Sequence, residues 1–285
     1  MKIALILDTN KIYAHKIDSY LEFKPISDFN ELIKFKNNEN LFNLDFFISK
    51  ITLMEIINQK IINYNKKKEE LYKLIEYFNC KNHKIKINDE KYYQRYFKKN
   101  VEEFFEKNDI KIIKYRNIKL DKIIERALKH KNPFAKDGDK GFKDTIIWES
   151  IRNNEIIDTY DLVYFFTDDN GFDPKELKKE NNKIKIVRNL DELKKYILVS
   201  CYKLCIKKVI DKENLLNIFR EENSDIVDIK DMFKSIRNSS NNIIEVEATL
   251  IKNYNGIKEE FEQTYYFYKN TNFISLNNYE EEKYD

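Results

Sequence analysis

The chain opens on an almost unbroken apolar run, Ile3-Ala4-Leu5-Ile6-Leu7, that stops at Asp8. A short continuous apolar run bounded by polar residues is how a strand buried on both faces reads. Three further runs follow at Phe46–Ile51, Leu162–Phe166 and Ile184–Val187. Between them the apolar positions take helical spacing. Leu53, Ile56, Ile57 and Ile61 begin a run that continues to about Tyr77, and Asp89 to about Lys107, Asp121–Lys129, Asp144–Asn153 and a stretch from near Asp191 read likewise. Lys131–Lys143, holding Pro133, Gly138 and Gly141, reads as a loop. Strands alternating with helices at this rhythm predict βαβ units and a parallel, doubly wound sheet. That makes one α/β domain of residues 1–199, with a long helical insert at about 58–130.

After Ser200 the texture changes. Tyr202 to about Glu222 predicts an amphipathic helix, and Asp228–Arg237 a short second one. Ile243–Lys252 then alternates, with Ile244, Val246, Ala248 and Leu250 against Glu245, Glu247 and Thr249. Asn255-Gly256 is a hairpin signal, and Phe261–Lys269 and Phe273–Leu276 predict further strands. Residues 200–285 are thus expected to be a small α+β accessory region with an antiparallel meander.

Composition narrows the class. With 42% apolar residues, 20 Phe and 19 Tyr among 285 residues, the chain has enough apolar surface to fill a core, which excludes wholesale disorder. Lys+Arg 52 against Asp+Glu 49 leaves a net charge of only +3, so any nucleic-acid footprint must come from local patches. Cys80, Cys201 and Cys205, with His15, His83 and His130 scattered, have no zinc-ligand spacing. Cys201 and Cys205, four apart in an apolar stretch, are expected to share a buried helix face. The first residues lack the apolar stretch and cleavage site of a signal peptide, and no window approaches a membrane span. The expected compartment is the reduced cytoplasm.

The carboxylates carry the chemistry. Asp8 ends the first strand in Asp8-Thr9-Asn10, and ligand crevices of open α/β sheets lie outside the carboxyl ends of strands. An Asp there also caps a following helix well. Glu55 follows the second strand, Asp144 opens the apolar helix in Phe142-Lys143-Asp144-Thr145-Ile146-Ile147-Trp148, and Asp169 lies past the third strand in Thr167-Asp168-Asp169-Asn170-Gly171-Phe172. Surface charges have no reason to prefer four such places. Neither a Gly-x-x-x-x-Gly-Lys-Ser/Thr phosphate loop, nor a Gly-x-Gly-x-x-Gly fingerprint, nor a Gly-x-Ser-x-Gly elbow occurs.

These four elements, in this order, resemble the PIN-domain nucleases, and the resemblance covers roughly residues 1–195. It implies a three-layer α/β/α PIN-like domain with a central parallel sheet. It implies an endonuclease in which Asp8, Glu55, Asp144 and Asp169 hold Mg²⁺ or Mn²⁺. Asp168 and Asp169 are adjacent; the Thr-x-Asp spacing favours Asp169, with Asp168 as a neighbour or water-mediated ligand. Asn10 and Thr167 would orient carboxylates or substrate phosphate. RNA is the substrate the resemblance favours, with a toxin or antiviral defence role by analogy. A catalytically weak PIN-fold scaffold and a structure-specific DNA nuclease are the alternatives. Residues 200–285 are expected to form a partner surface for an inhibitor, an antitoxin or a second subunit, including a second copy of the chain.

Lysines cluster at Lys66-Lys67-Lys68, at Arg95-Tyr96-Phe97-Lys98-Lys99 and in the loop before Asp144. Lys136, Lys140 and Lys143 of that loop are candidate contacts for a substrate backbone, or merely solvate it. The Tyr/Phe run at 92–105 either stacks bases or packs a helix into the core.

Overall fold

The computed structural model describes residues 1–13, 22–39, 41–78, 87–115, 118–134, 141–238, 243–254 and 256–276. The chain divides into two compact units, Met1–Leu193 and Lys194–Asp285.

The first unit has, among its described residues, a five-stranded parallel sheet. Its strands are β1 (Lys2–Leu7), β2 (Asn43–Ser49), β3 (Ile110–Ile113), β4 (Leu162–Phe166) and β5 (Ile184–Val187), in the order β3-β2-β1-β4-β5. The central strand β1 is buried from Ile3 to Leu7, which is why it reads as a continuous apolar run. Around the sheet lie α1 (Ser27–Asn38), α2 (Lys50–Tyr77), α3 (Glu90–Lys107), α4 (Leu120–Leu128), α5 (Phe142–Arg152) and the short α6 (Glu155–Asp158) and α7 (Pro174–Leu177). On one face Ile147, Trp148 and Ile151 of α5 pack with Ala4, Ile6, Phe47, Val163 and Phe165 of the strands. On the other, Phe29 of α1 meets Phe46 of β2 and Phe104 of α3, with ring centroids 5.2 and 6.0 Å apart. The result is the three-layer α/β/α sandwich.

Three features depart from the sequence pattern. β3 lies inside the stretch read as a helical insert; its four residues follow directly on the long charged helix α3 and do not stand out from its pattern. α1 likewise went unanticipated. β2 starts at Asn43 and ends at Ser49, and α2 follows without a loop because Ser49 Oγ accepts the Thr52 N–H at 2.9 Å and caps the helix. The aromatic run of α3 packs one of its faces into the core. Tyr93, Phe97, Val101 and Phe105 are buried, while Tyr92 and Tyr96 are exposed and stacked on one another.

The unit boundary falls in the first turn of α8 (Leu190–Val209). The second unit continues with α9 (Lys212–Glu222) and four antiparallel strands, β6 (Ile226–Asn238), β7 (Ile243–Tyr254), β8 (Ile257–Tyr268) and β9 (Phe273–Ser275), in that spatial order. Leu215 and Phe219 of α9 are buried, and the Phe219 ring stands edge-on to Tyr265 of β8. The helix expected over Tyr202–Glu222 is two helices, because the Asp211 carboxylate accepts the Asn214 N–H at 2.8 Å and starts a new one. The helix expected over Asp228–Arg237 is a correction as well: that segment is strand β6. Its apolar residues Ile226, Ile229 and Phe233 are spaced as in a helix. The strand reaches the same result through register shifts between Ile226 and Asp228, Ile229 and Asp231, and Asp231 and Ser235. Such bulges reset the two-residue alternation and keep all three side chains buried. Cys201 is buried on α8 and Cys205 is half-buried.

Candidate metal centre

The strand order reverses between β1 and β4, the two strands that lead away to opposite edges. In open parallel sheets ligands bind outside the carboxyl ends of such a pair, where the two chain directions part. Leu7 pairs with Phe166, so Asp8 and Thr167 leave the sheet side by side. The Asp8 N–H continues the ladder to Phe166 O at 3.1 Å.

Asp8 is 7% exposed. Its Oδ1 accepts the Thr9 N–H at 2.7 Å, the capping contact of a short 3₁₀ turn at Thr9–Lys11, and its Oδ2 accepts from Thr167 Oγ1 at 2.6 Å. Capping and membership of the acid cluster therefore coexist at Asp8. Thr167 Oγ1 in turn accepts the Asp169 N–H at 3.0 Å, and Asp169 Oδ1 accepts the Gly171 N–H at 2.7 Å. Because that hydroxyl already accepts from Asp169, its single proton is committed to Asp8. Thr167 thus sets two of the acids at once.

Glu55 lies in the second turn of α2 and reaches the same place: its Oε2 accepts from Thr9 Oγ1 at 2.8 Å, and its Oε1 is paired with Lys143 Nζ. Asp144 sits in the first turn of α5, and among the described residues its carboxylate receives no hydrogen bond. Burial pushes its pKa up to about 7, and the charges of Asp169, Asp8 and Glu55 push the same way against Lys143. Burial likewise lifts Asp8 to about 6, with Glu55 and Asp169 adding to it and the bonds from Thr167 and Thr9 opposing. Four chain segments thus bring Asp8, Glu55, Asp144 and Asp169 within electrostatic reach of one another.

The other candidates divide. Asp168 points to Lys11, whose Nζ stands 2.7 Å from it and 4.3 Å from the centroid of the Phe166 ring. Asn10 Oδ1 accepts the Asp168 N–H at 3.3 Å, fastening the two strand ends together. Lys143, read from the sequence as a substrate contact, is occupied by Glu55 and acts as the cluster's internal counter-charge. Lys136 and Lys140 lie outside the described residues. Thr9 and Lys11 also serve the site, and the only sequence signal for them is their place directly after Asp8.

Two glycines shape the wall beside these acids. Gly141 caps α5 at φ +111°, and a Cβ there would come within 2.4 Å of Pro133 O. A Cβ on Gly171 would meet Asp169 Oδ1 at 3.1 Å and Pro133 O at 3.3 Å. Gly141→Ala is therefore expected to cost about 2 kcal/mol in a urea titration, combining a left-handed backbone with a backbone collision.

All four donors are carboxylates, the hard oxygen set that Mg²⁺ and Mn²⁺ prefer. Among the described residues no group of three or more His, Cys, Asp or Glu side chains is drawn together closely enough to hold an ion. The donor chemistry fits a divalent cation, and the raised proton affinities mark the negative charge that one would neutralise.

A parallel α/β/α sandwich with acids at its switch point defines a PIN-like α/β protein. The PIN-domain family profile matches residues 5–172, more than half of the chain and a span that includes all four acids, and the chain belongs to the PIN-domain family. No curated protein and no solved structure matches it. PIN domains are typically nucleases, so membership supports a hydrolase acting on nucleic acid. Among the described residues no helix is long and apolar enough to cross a membrane.

Proposed function

We propose that the protein is a divalent-metal-dependent endonuclease whose substrate is RNA. One observation carries the reading: carboxylates from four separate chain positions gather at the switch point, where burial first and the neighbouring acids second raise the proton affinities of Asp8 and Asp144. A folded chain keeps such repulsion mainly where a cation relieves it. Asp8, Asp144, Asp169 and Glu55 are the residues that would hold Mg²⁺ or Mn²⁺, which when bound supplies an activated water and offsets charge on the phosphate.

The chain's own groups prepare that chemistry. Thr167 orients Asp8 and Asp169 through one hydroxyl, and Thr9 orients Glu55. Lys143 holds Glu55 in line and lowers the charge an approaching phosphate meets. The choice of RNA over DNA rests on the family resemblance, as does the toxin or antiviral role.

The test is cleavage of end-labelled single-stranded RNA, tRNA and DNA with Mn²⁺, Mg²⁺ or EDTA, by wild type and Asp8→Asn. RNA cleavage that needs metal and disappears in Asp8→Asn is the expected result. Cleavage of DNA alone would transfer the reading to a DNA nuclease. Silence on every substrate, with no effect of metal on the melting temperature, would leave a PIN-fold scaffold.

A further inference from the structure

We propose that Lys50, Lys114 and Tyr115 form a nucleotide subsite that grips one base and its phosphate on a single strand passing through the acid cluster. This rests on the nuclease reading. Ile48 pairs with Ile112 and Ser49 with Ile113, so β2 and β3 end together. The residues that follow, Lys50 on one strand and Lys114-Tyr115 on the other, leave the sheet at its carboxyl edge, the edge that also carries Asp8 and Thr167. Glu55 lies five residues further along α2 than Lys50, about 8 Å along the helix axis. A strand laid across the acids reaches both places.

The shape and chemistry fit a nucleotide. Lys50, Ile112, Lys114 and Tyr115 line a cavity of about 300 Å³, within the range of small-ligand pockets. Tyr115 is 50% exposed, so its ring contributes little to the core. Among the described residues neither Lys50 nor Lys114 is paired with an acid, whereas Lys111 on the same strand is tied to Asp45 at 3.0 Å. Two ammonium groups without an acid partner suit a phosphodiester, and an exposed aromatic ring beside the Ile112 side chain in the same cavity suits a base of any sequence. A small anion would have no use for the ring, and an apolar peptide would have none for the charges.

The experiment is fluorescence anisotropy on the full chain in EDTA, with labelled single-stranded RNA and DNA of one sequence, and cleavage in Mn²⁺ run in parallel. Tyr115→Ala is expected to weaken binding about tenfold, while Tyr115→Phe stays within about twofold of wild type. Lys50→Gln with Lys114→Gln is expected to lower the slope of log Kd against log salt by about 1.4, roughly 0.7 for each phosphate charge lost on a single strand. Equal losses on RNA and DNA place the grip on base and phosphate; a loss on RNA alone adds a sugar contact to the same subsite. Unchanged binding and slope in an enzyme that still cleaves overturns the subsite and leaves the nuclease intact. Equal losses in Tyr115→Phe and Tyr115→Ala also overturn it, since the ring would then not be what stacks. Weakened binding by Tyr115→Ala in a chain that cuts nothing keeps the subsite and removes the nuclease. Melting curves for each variant exclude unfolding as the cause.

Discussion

Asp144→Asn is expected to do two opposite things: cut nuclease activity by about 10²- to 10³-fold, and raise the melting temperature of the metal-free protein at pH 8. The first effect follows from removing a charged donor beside the reacting phosphate. The second follows from burial and from the charges of Asp169, Asp8 and Glu55, which lift the Asp144 pKa from 3.8 to about 7. Because the folded-state value is the higher one, the folded chain holds more protons than the unfolded chain between about pH 4 and pH 7. Stability therefore falls as pH rises through that window and levels off above it. The asparagine does not titrate, so it escapes this loss, worth about 2 kcal/mol after solvent screening at a half-buried site. Asp8, lifted to about 6, adds a shallower decline in the same direction. Thermal melts of wild type and variant in EDTA from pH 5 to 8 read the difference directly. Added Mg²⁺ or Mn²⁺ should restore wild type at pH 8 far more than the variant. If Asp144→Asn melts below wild type at pH 8 in EDTA, the acids do not repel one another and the metal reading loses its support.

Arg126→Met is the largest stability change expected in the first unit, about 3–5 kcal/mol. Arg126 on α4 is 6% exposed, and its Nη2 stands 3.1 Å from Glu149 of α5 and 2.6 Å from Glu180. Arg152 closes the square at 2.9 Å from both glutamates, and Trp148 Nε1 donates to Glu180 at 2.9 Å. Burial raises the Glu180 pKa, but bonds from Arg126 and Trp148 outweigh it and hold the carboxyl below its usual range. Removing the guanidinium leaves Glu149, only 2% exposed, with Arg152 as its one remaining cationic partner. The double variant Arg126→Met with Glu149→Gln should recover part of the loss, because it withdraws the buried charge that has lost one of its two arginines. Urea titration of the two variants measures this; a single variant no less stable than the double would show the network to be idle. Arg126 also donates to Asn132 O. The next residue, Pro133, is the one whose carbonyl lies against Gly141 and Gly171. Activity should therefore fall along with stability, although Arg126 touches no acid of the site.

How much of this could be read from the chain depends on burial. Leu162–Phe166 is a strand with those bounds, since a run buried on both faces admits no polar residue and ends where solvent begins. Ile184–Val187, though an edge strand carrying the exposed Lys185, is set off by the polar residues on either side. The acids could be read for the same reason, a carboxylate at the end of such a run being conspicuous. β6 could not, because its bulges place apolar residues at helical spacing. β3 could not, because its four residues follow directly on the long charged helix α3, whose pattern runs into it.

The sequence by itself determined the α/β class, the PIN-like order of elements and the chain positions of Asp8, Glu55, Asp144 and Asp169, since local burial and strand ends write themselves into local pattern. Only the tertiary structure decided what each side chain bonds. Thr167 serves Asp8 and Asp169 together, Lys11 takes Asp168, Lys143 takes Glu55, and Arg126 ties α4 to α5. Each of those choices joins residues with no shared periodicity, and several join distant segments; which partner wins is set by distance and by the cost of leaving a buried charge alone, quantities that exist only once the chain has folded.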